Sequence, residues 1–295
     1  MMNNFAIFIM VHGRPDKMWT YHSLKKHGYT GKIYLVADDL DETLDDYKKK
    51  YKDELLVFDK KKSALNMDAG DNTGDLRSTL YSANTIFDLA KERGVKYFFI
   101  MCDDYSRFEY KVNLGYQLKS IPVKNLDRVI DIMLKYYKNT PITSLAMAQG
   151  GDFIGGASSQ MSKSQIKRKV MNTFLCSTDR PFKFMGRLNE DVTTYVNLGS
   201  KGMLFITICN ISIVQNRHQS ESGGLTDVYL DDGTYIKSFF SVMYNPSCVK
   251  IKDMGEKHKR VHHQINWNNA VPKIIAEDYN NNMTGDEFWE VYGAT

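Results

Sequence analysis

Residues 5–11 (Phe-Ala-Ile-Phe-Ile-Met-Val) form an apolar run with no polar alternation. Such a run marks a strand buried on both faces. His12-Gly13-Arg14-Pro15-Asp16 then turns the chain out, and a helix is predicted from Lys17 to His27, stopped by Gly28. Lys32 to Val36 reads as a second strand ending in Ala37-Asp38-Asp39. Asp41 to Tyr51 is a polar helical stretch with acids early and lysines late, the arrangement that suits a helix dipole. Leu55 to Phe58 is a short third strand. Residues 67–76, rich in Gly, Asp and Asn, read as a loop. Arg77 to Arg93 is an amphipathic helix stopped by Gly94. Tyr97 to Cys102 is a fourth apolar run, and it ends abruptly at Asp103-Asp104. Strand and helix thus alternate over the first hundred residues, the pattern of a parallel, doubly wound sheet.

The second half is patterned differently. Leu126 to Tyr137 is one more helix. Short strands are predicted at Ser144–Ala148, Met203–Ile208, Ser212–Val214 and Thr234–Met243, which together make a mixed sheet. Ser158 to Arg168 reads as a polar, basic, mobile loop, and residues 216–224 as a flexible polar one. Glu190-Asp191 opens a helical pattern through Val192, Tyr195, Val196 and Gly199. Residues 279–283 break the chain before a short terminal helix. No repeat and no clear linker interrupts the pattern. The expectation is one domain, 1–295, with functional halves at 1–110 and 111–295.

Composition narrows this little. The chain has 295 residues, 42% apolar and 25% charged, which is ordinary for a globular protein. Its net charge of +4 permits a polyanionic partner without requiring one. Cys102, Cys176, Cys209 and Cys248 show no CxxC spacing and are expected to be free thiols in a reducing compartment. No secretory pattern and no run of membrane-spanning length is present, so a cytoplasmic protein is expected. The absence of GxGxxG and of GxxxxGK[ST] argues against a dinucleotide-binding site and a P-loop.

Several residues carry candidate chemistry. A desolvated carboxylate is costly unless paired or bound to a metal, and ligands of open α/β sheets sit at the carboxyl ends of strands. Asp103-Asp104 therefore fits a divalent cation, Mg²⁺ or Mn²⁺, carrying a diphosphate; the plain alternative is a cap and a solvated acid. Arg14 suits a phosphate or a base edge. Asp38 and Asp39 suit ribose hydroxyls or a pyrimidine N–H, or else cap the next helix. Arg77 at a helix start makes an anion site, or is an ordinary surface arginine. Glu190-Asp191 suits a general base, or a capping pair. His262-His263 offers metal donors or a basic surface loop. The runs at 163–169 and 257–260 suit phosphate backbones, or are solvated faces.

The order of these pieces resembles the GT-A class of nucleotide-sugar glycosyltransferases, whose acidic metal motif sits where Tyr97–Asp104 sits here. Glu190-Asp191-Val192 looks like the Glu-Asp-Val of the fringe and β-1,3-galactosyltransferase group, in which the Asp is the proposed base. The closer resemblance is to the TET/JBP-associated glycosyltransferases of phages and of the base-J pathway. It is carried by His12-Gly13-Arg14-Pro15, Cys102-Asp103-Asp104, residues 186–191, Gln219 to Asp227 with Gly223-Gly224, Gly233-Thr234-Tyr235 and His262-His263. Cys102 departs from a strict Asp-x-Asp, which leaves open whether one acid or both bind metal.

The resemblance implies a GT-A-like α/β fold, with a Rossmann-like, mostly parallel nucleotide-sugar-binding half (1–110) continuing into a mixed acceptor-binding and catalytic half (111–295). It implies metal-dependent, inverting transfer from a UDP-sugar such as UDP-glucose. The acceptor would be the hydroxymethyl group of 5-hydroxymethyluracil or 5-hydroxymethylcytosine in DNA. Asp103 and Asp104, with His262 or His263, would hold Mn²⁺ or Mg²⁺. Arg14, Asp38, Asp39, Asp71 and Arg77 would hold the nucleotide. Asp191, with Glu190 beside it, would take the acceptor proton. A phage-encoded enzyme would work in the host cytoplasm. The competing readings are a glycosyltransferase acting on a protein or polysaccharide, a non-catalytic nucleotide-sugar or DNA-binding module, and a nucleotidyltransferase.

Overall fold

The structure is a computed structural model that describes residues 4–216, 225–233, 235–254 and 260–270. The first half runs β1 (Phe5–Met10), α1 (Trp19–Lys26), β2 (Lys32–Asp38), α2 (Leu44–Tyr51), β3 (Leu55–Phe58), α3 (Lys60–Ala64), α4 (Leu80–Glu92) and β4 (Tyr97–Cys102). The second runs β5 (Tyr105–Asn113), β6 (Leu118–Pro122), α5 (Leu126–Lys138), β7 (Ser144–Gln149), β8 (Ile166–Lys167), β9 (Phe174–Ser177), α6 (Glu190–Ser200) and β10 (Phe205–Gln215). It continues with α7 (Thr226–Asp232), α8 (Ile236–Tyr244), β11 (Val249–Met254), β12 (Arg260–Ile265) and α9 (Trp267–Ala270).

Among the described residues, ten strands form one sheet in the order β3-β2-β1-β4-β9-β7-β10-β5-β6, with β8 beside β10. The neighbours from β3 to β4 are parallel. β9 is antiparallel to both β4 and β7, and β10 is parallel to β7. It follows that β1, β2, β4, β7 and β10 all point the same way, so their carboxyl ends share one edge of the molecule. The α/β sheet with a parallel first half and a mixed second half is the architecture the sequence predicts.

β1 shows why its run is unbroken. Phe5, Ile7 and Ile9 pack into the core layer with α1 and α5, while Ala6, Phe8 and Met10 pack into the layer with α4 and α6. All six are buried. Burying a side chain of this size contributes about 1.5–3 kcal/mol. α5 packs by helical spacing: Leu126, Val129, Ile130, Met133, Leu134 and Tyr137 face the core, and the Asn125 side chain caps its start by accepting from the Arg128 N–H at 2.9 Å.

Three predictions differ. Residues 236–244 are a helix, not a strand. Their Ile, Phe, Val and Tyr content suits a strand, but Ile236, Phe239, Phe240 and Met243 recur at i, i+3, i+4 and i+7, which is helical spacing. His262 and His263 lie on β12, paired antiparallel with Lys252 and Ile251 of β11, and not in a loop. The two short strands predicted at 203–208 and 212–214 are one strand, β10, whose register shifts between Ile208 and Ser212. The expected loop at 217–224 and the terminal helix lie outside the described residues. The four cysteines are free, as expected. Among the described residues no helix is long and apolar enough to cross a membrane.

Candidate active site

The five aligned strands deliver their carboxyl ends to a cavity of about 1080 Å³. Each contributes residues at or just past its end: His12 and Arg14 from β1, Asp38 from β2, Asp103 and Asp104 from β4, Gln149 to Asp152 from β7, and Gln215 and Asn216 from β10. The start of α6 adds Asn189, Glu190 and Asp191, and β12 adds His262 and His263. Arg77 also lines it. Asp39 and Asp71 are not among its lining residues. Asp39 is exposed and accepts from the Lys60 backbone N–H at 2.8 Å, and Asp71 pairs with Arg187 at 2.8 Å.

The β1 turn is fastened at every residue. The Gly13 N–H donates to Asp41 Oδ2 at 2.9 Å and the Arg14 N–H to the Tyr47 hydroxyl oxygen at 3.1 Å. Gly13 sits at φ 71°, a left-handed conformation that costs glycine little. Beside it, Asp38 Oδ2 accepts from Lys60 Nζ at 3.0 Å and lies 3.1 Å from His12 Nδ1. Burial opposes ionisation of Asp38, but the His12 contact and the Lys60 charge outweigh it and hold the carboxyl below its usual range. The Asp38 contact in turn raises His12.

The acidic turn after β4 is clamped from two sides. Thr20 of α1 accepts the Tyr105 N–H at 2.9 Å and donates to the Cys102 carbonyl at 2.6 Å, and its own N–H donates to the Asp103 carbonyl at 3.1 Å. The Asn216 N–H donates to the Asp104 carbonyl at 3.0 Å. Asp103 Oδ2 is buried, makes no hydrogen bond, and stands 3.8 Å from Arg14 Nε. Burial pushes the Asp103 carboxyl up to about 6, against the pull of Arg14 and with the push of Asp104.

A buried carboxylate oxygen without a hydrogen bond, next to a second acid, is a donor set that suits a hard divalent cation. Among the described residues, however, no three His, Cys, Asp or Glu side chains form a metal-holding group. The expected set of Asp103, Asp104 and a histidine is thus not assembled. Fewer than three protein ligands still fit Mg²⁺, which usually keeps water and takes substrate phosphates. His263 has a different neighbour: its Nδ1 lies 3.3 Å from Asn189 Nδ2. Burial holds its imidazole far down, at about 3, so it is neutral at physiological pH.

Glu190 and Asp191 stand at the start of α6. The turn before them is built by Arg187, whose side chain is only 3% exposed and reaches Asp71 and Asp75 at 2.8 and 3.3 Å. The Gly186 and Arg187 N–H groups donate to the Asp68 and Ala69 carbonyls. The 67–76 loop therefore serves as the seat of the α6 turn. Asn189 takes the left-handed conformation at φ 58° and donates to Ser241 Oγ at 2.6 Å. Thr79, at the start of α4, donates to Glu190 Oε1. The Val192 N–H donates to Asp191 Oδ1 at 2.7 Å. Burial raises both carboxyls, and for Glu190 the charge of Asp191 raises it further, while Lys237 partly offsets the two. Two like charges at one helix start, both pushed toward neutrality, make a candidate proton acceptor.

Arg77 is already engaged. Its guanidinium donates to Asp75 and, at 2.6 Å, to Asp231. A phosphate there would compete with two carboxylates. Lys60 is a site residue the sequence reading missed, because it sits in a Lys-Lys-Lys run that looks like a solvated face. It alone of the three turns inward, drawn by Asp38.

Residues 5–224 match the profile of the family described as TET-associated glycosyltransferase. The chain belongs to that family. No curated protein matches it in sequence. Among solved structures it is similar to Staphylococcus aureus TarS 1–349 in complex with UDP, at 10% identity and a TM-score of 0.43, over 83% of this chain and 66% of that one. The chain thus spans just under two thirds of that fragment's length. Glucosyl-3-phosphoglycerate synthase from Mycobacterium tuberculosis, in complex with Mn²⁺, UDP and phosphoglyceric acid, is similar at 8% identity and a TM-score of 0.44, over 89% and 87%. The mannosyltransferase PcManGT from Pyrobaculum calidifontis, with GDP-Man and Mn²⁺, follows at 9% identity and 0.44, over 82% and 73%. The α/β class expected from the sequence, a mostly parallel half continuing into a mixed one, stands for this member of the TET-associated glycosyltransferase family.

Proposed function

We propose that this protein transfers a sugar from a nucleotide-sugar donor, a UDP-sugar such as UDP-glucose, to the hydroxymethyl group of a modified pyrimidine in DNA. The observation that carries the reading is the meeting, in one cavity, of the Asp103-Asp104 turn from the parallel half and the Glu190-Asp191 helix start from the mixed half. The family supports the reaction class, and its TET association supports the acceptor.

Asp38, at the end of β2, and Lys60, at the start of α3, face the nucleoside; Arg14 meets the diphosphate. Asp103 and Asp104 would hold a Mn²⁺ or Mg²⁺ ion, which when bound supplies positive charge against the leaving diphosphate. Asp191 accepts the proton of the acceptor hydroxymethyl group. The freed oxygen attacks the anomeric carbon, the bond from that carbon to the phosphate oxygen breaks, and the electron pair leaves with the nucleoside diphosphate. Attack opposite the leaving group inverts the anomeric centre. Its acceptor base must be extruded from a duplex or be single-stranded.

Calorimetry of the intact protein with UDP-glucose, with and without Mn²⁺, tests the donor half. The expected result is binding strengthened by Mn²⁺ and weakened in Asp103→Asn. Equal binding with and without the ion, in both forms, contradicts the metal assignment.

A further inference from the structure

One feature of the cavity wall is left unused by the donor and proton chemistry. Trp267, the first residue of α9, lies parallel to the ring of Tyr195, with centroids 6.0 Å apart and planes 9° from parallel. That is offset stacking, the arrangement favoured by aromatic quadrupoles. Tyr195 is 4% exposed and Trp267 is 41% exposed, and both line the cavity. The indole is therefore backed on one side and open on part of its surface to a site otherwise rich in charge.

Its mounting is firm. The Asn266 N–H donates to the Cys248 carbonyl at 2.7 Å, the Asn269 side chain donates to the Ser247 carbonyl at 2.8 Å, and Ala270 is buried in the α4 and α6 core layer. Tyr195 follows Asp191 by four residues in α6, so the two share a helix face about 5–6 Å apart at Cβ. The stack thus stands one helical turn from the proposed base.

We propose that the open surface of Trp267 is the platform on which the acceptor pyrimidine stacks, so that its hydroxymethyl group lies beside Asp191. This rests on the reading of the acceptor as a DNA base. A flat ring extends the Tyr195–Trp267 pair in the same plane spacing, and base stacking on an aromatic side chain tolerates any pyrimidine. Specificity would then come from the polar groups around it, not from the indole.

The test compares wild type, Trp267→Phe and Trp267→Ala on a single-stranded oligonucleotide carrying 5-hydroxymethylcytosine or 5-hydroxymethyluracil. Donor hydrolysis without acceptor is followed in parallel. The platform predicts that Trp267→Ala raises the acceptor KM at least about fivefold. Hydrolysis is expected to stay unchanged, and Trp267→Phe to recover most of the loss. An unchanged acceptor KM in Trp267→Ala overturns the platform while leaving the transfer reading standing. Equal loss of hydrolysis and transfer, with donor KM raised, overturns it in favour of a platform for the donor sugar. If wild type modifies neither base while it hydrolyses donor, the DNA reading falls and the platform falls with it.

Discussion

Asp191 and Glu190 share a helix start, yet they meet different neighbours. Asp191 accepts from the Val192 N–H and Glu190 from the Thr79 hydroxyl. If Asp191 is the base, Asp191→Asn lowers turnover by about 10²–10⁴ while donor binding by calorimetry stays near wild type. Near-normal turnover would remove it from the mechanism. The sign of the pH dependence follows from the raised carboxyls. A base must be ionised, so kcat/KM rises with pH through a midpoint above the usual carboxylate range. Burial and the Asp191 charge push Glu190 up to about 7, so Glu190 is still protonated when Asp191 ionises, and Glu190→Gln is expected to leave the acid limb close to its wild-type position. A limb displaced well to lower pH in the pH–rate profile contradicts that order of ionisation. At this scale much of the cavity lining was legible: Arg14, Asp38, Arg77, Asp103, Asp104, Glu190, Asp191 and both histidines were named from the sequence, and all line the cavity. Lys60, Trp267 and Tyr195 were not, because a lysine run and an aromatic at helical spacing have ordinary uses elsewhere. Asp39 and Asp71 show the converse limit: an acid at the right place in the pattern can be taken up by a backbone N–H or by a buried arginine.

At the scale of elements, the α6 start depends on a loop more than a hundred residues earlier in the chain. Arg187 is buried and satisfied by Asp71 and Asp75. Removing one partner of a buried ion pair costs about 3–5 kcal/mol, because the other charges stay behind. Arg187→Ala is therefore expected to lower the unfolding free energy by about 3–5 kcal/mol, seen as a lower urea midpoint, with loss of activity following the loss of fold. A midpoint within error of wild type would show that the 67–76 loop does not seat the turn. The sequence displayed both halves of this device, an acidic Gly-rich loop and a Gly-Arg turn, but pairing across such a distance is not written in periodicity. The same reason hid β5, β6 and β9, whose short or amphipathic runs take strand form only beside their partners. The helix at 236–244 was missed because composition was weighed over spacing.

For the whole molecule, one parallel half and one mixed half share a single sheet, and the shared carboxyl edge gathers the chemistry. Lys169, Lys237 and Lys252 line the same cavity, and would give the proposed DNA acceptor a cationic approach. Binding to a hydroxymethylated oligonucleotide is expected to weaken linearly in log–log salt plots, and replacing one of these lysines, Lys252→Ala, to reduce the slope by about 1. Binding indifferent to salt would direct the acceptor search to proteins or polysaccharides.

The central claim is sugar transfer to a hydroxymethylpyrimidine in DNA. Incubating the protein with a panel of nucleotide sugars, Mn²⁺ and DNA containing 5-hydroxymethyluracil or 5-hydroxymethylcytosine, then measuring the digested nucleosides by mass spectrometry, tests it most directly. The account predicts a nucleoside heavier by one glycosyl unit, formed with a matching yield of nucleoside diphosphate and lost in Asp191→Asn. Donor turnover with every nucleoside unmodified would contradict it.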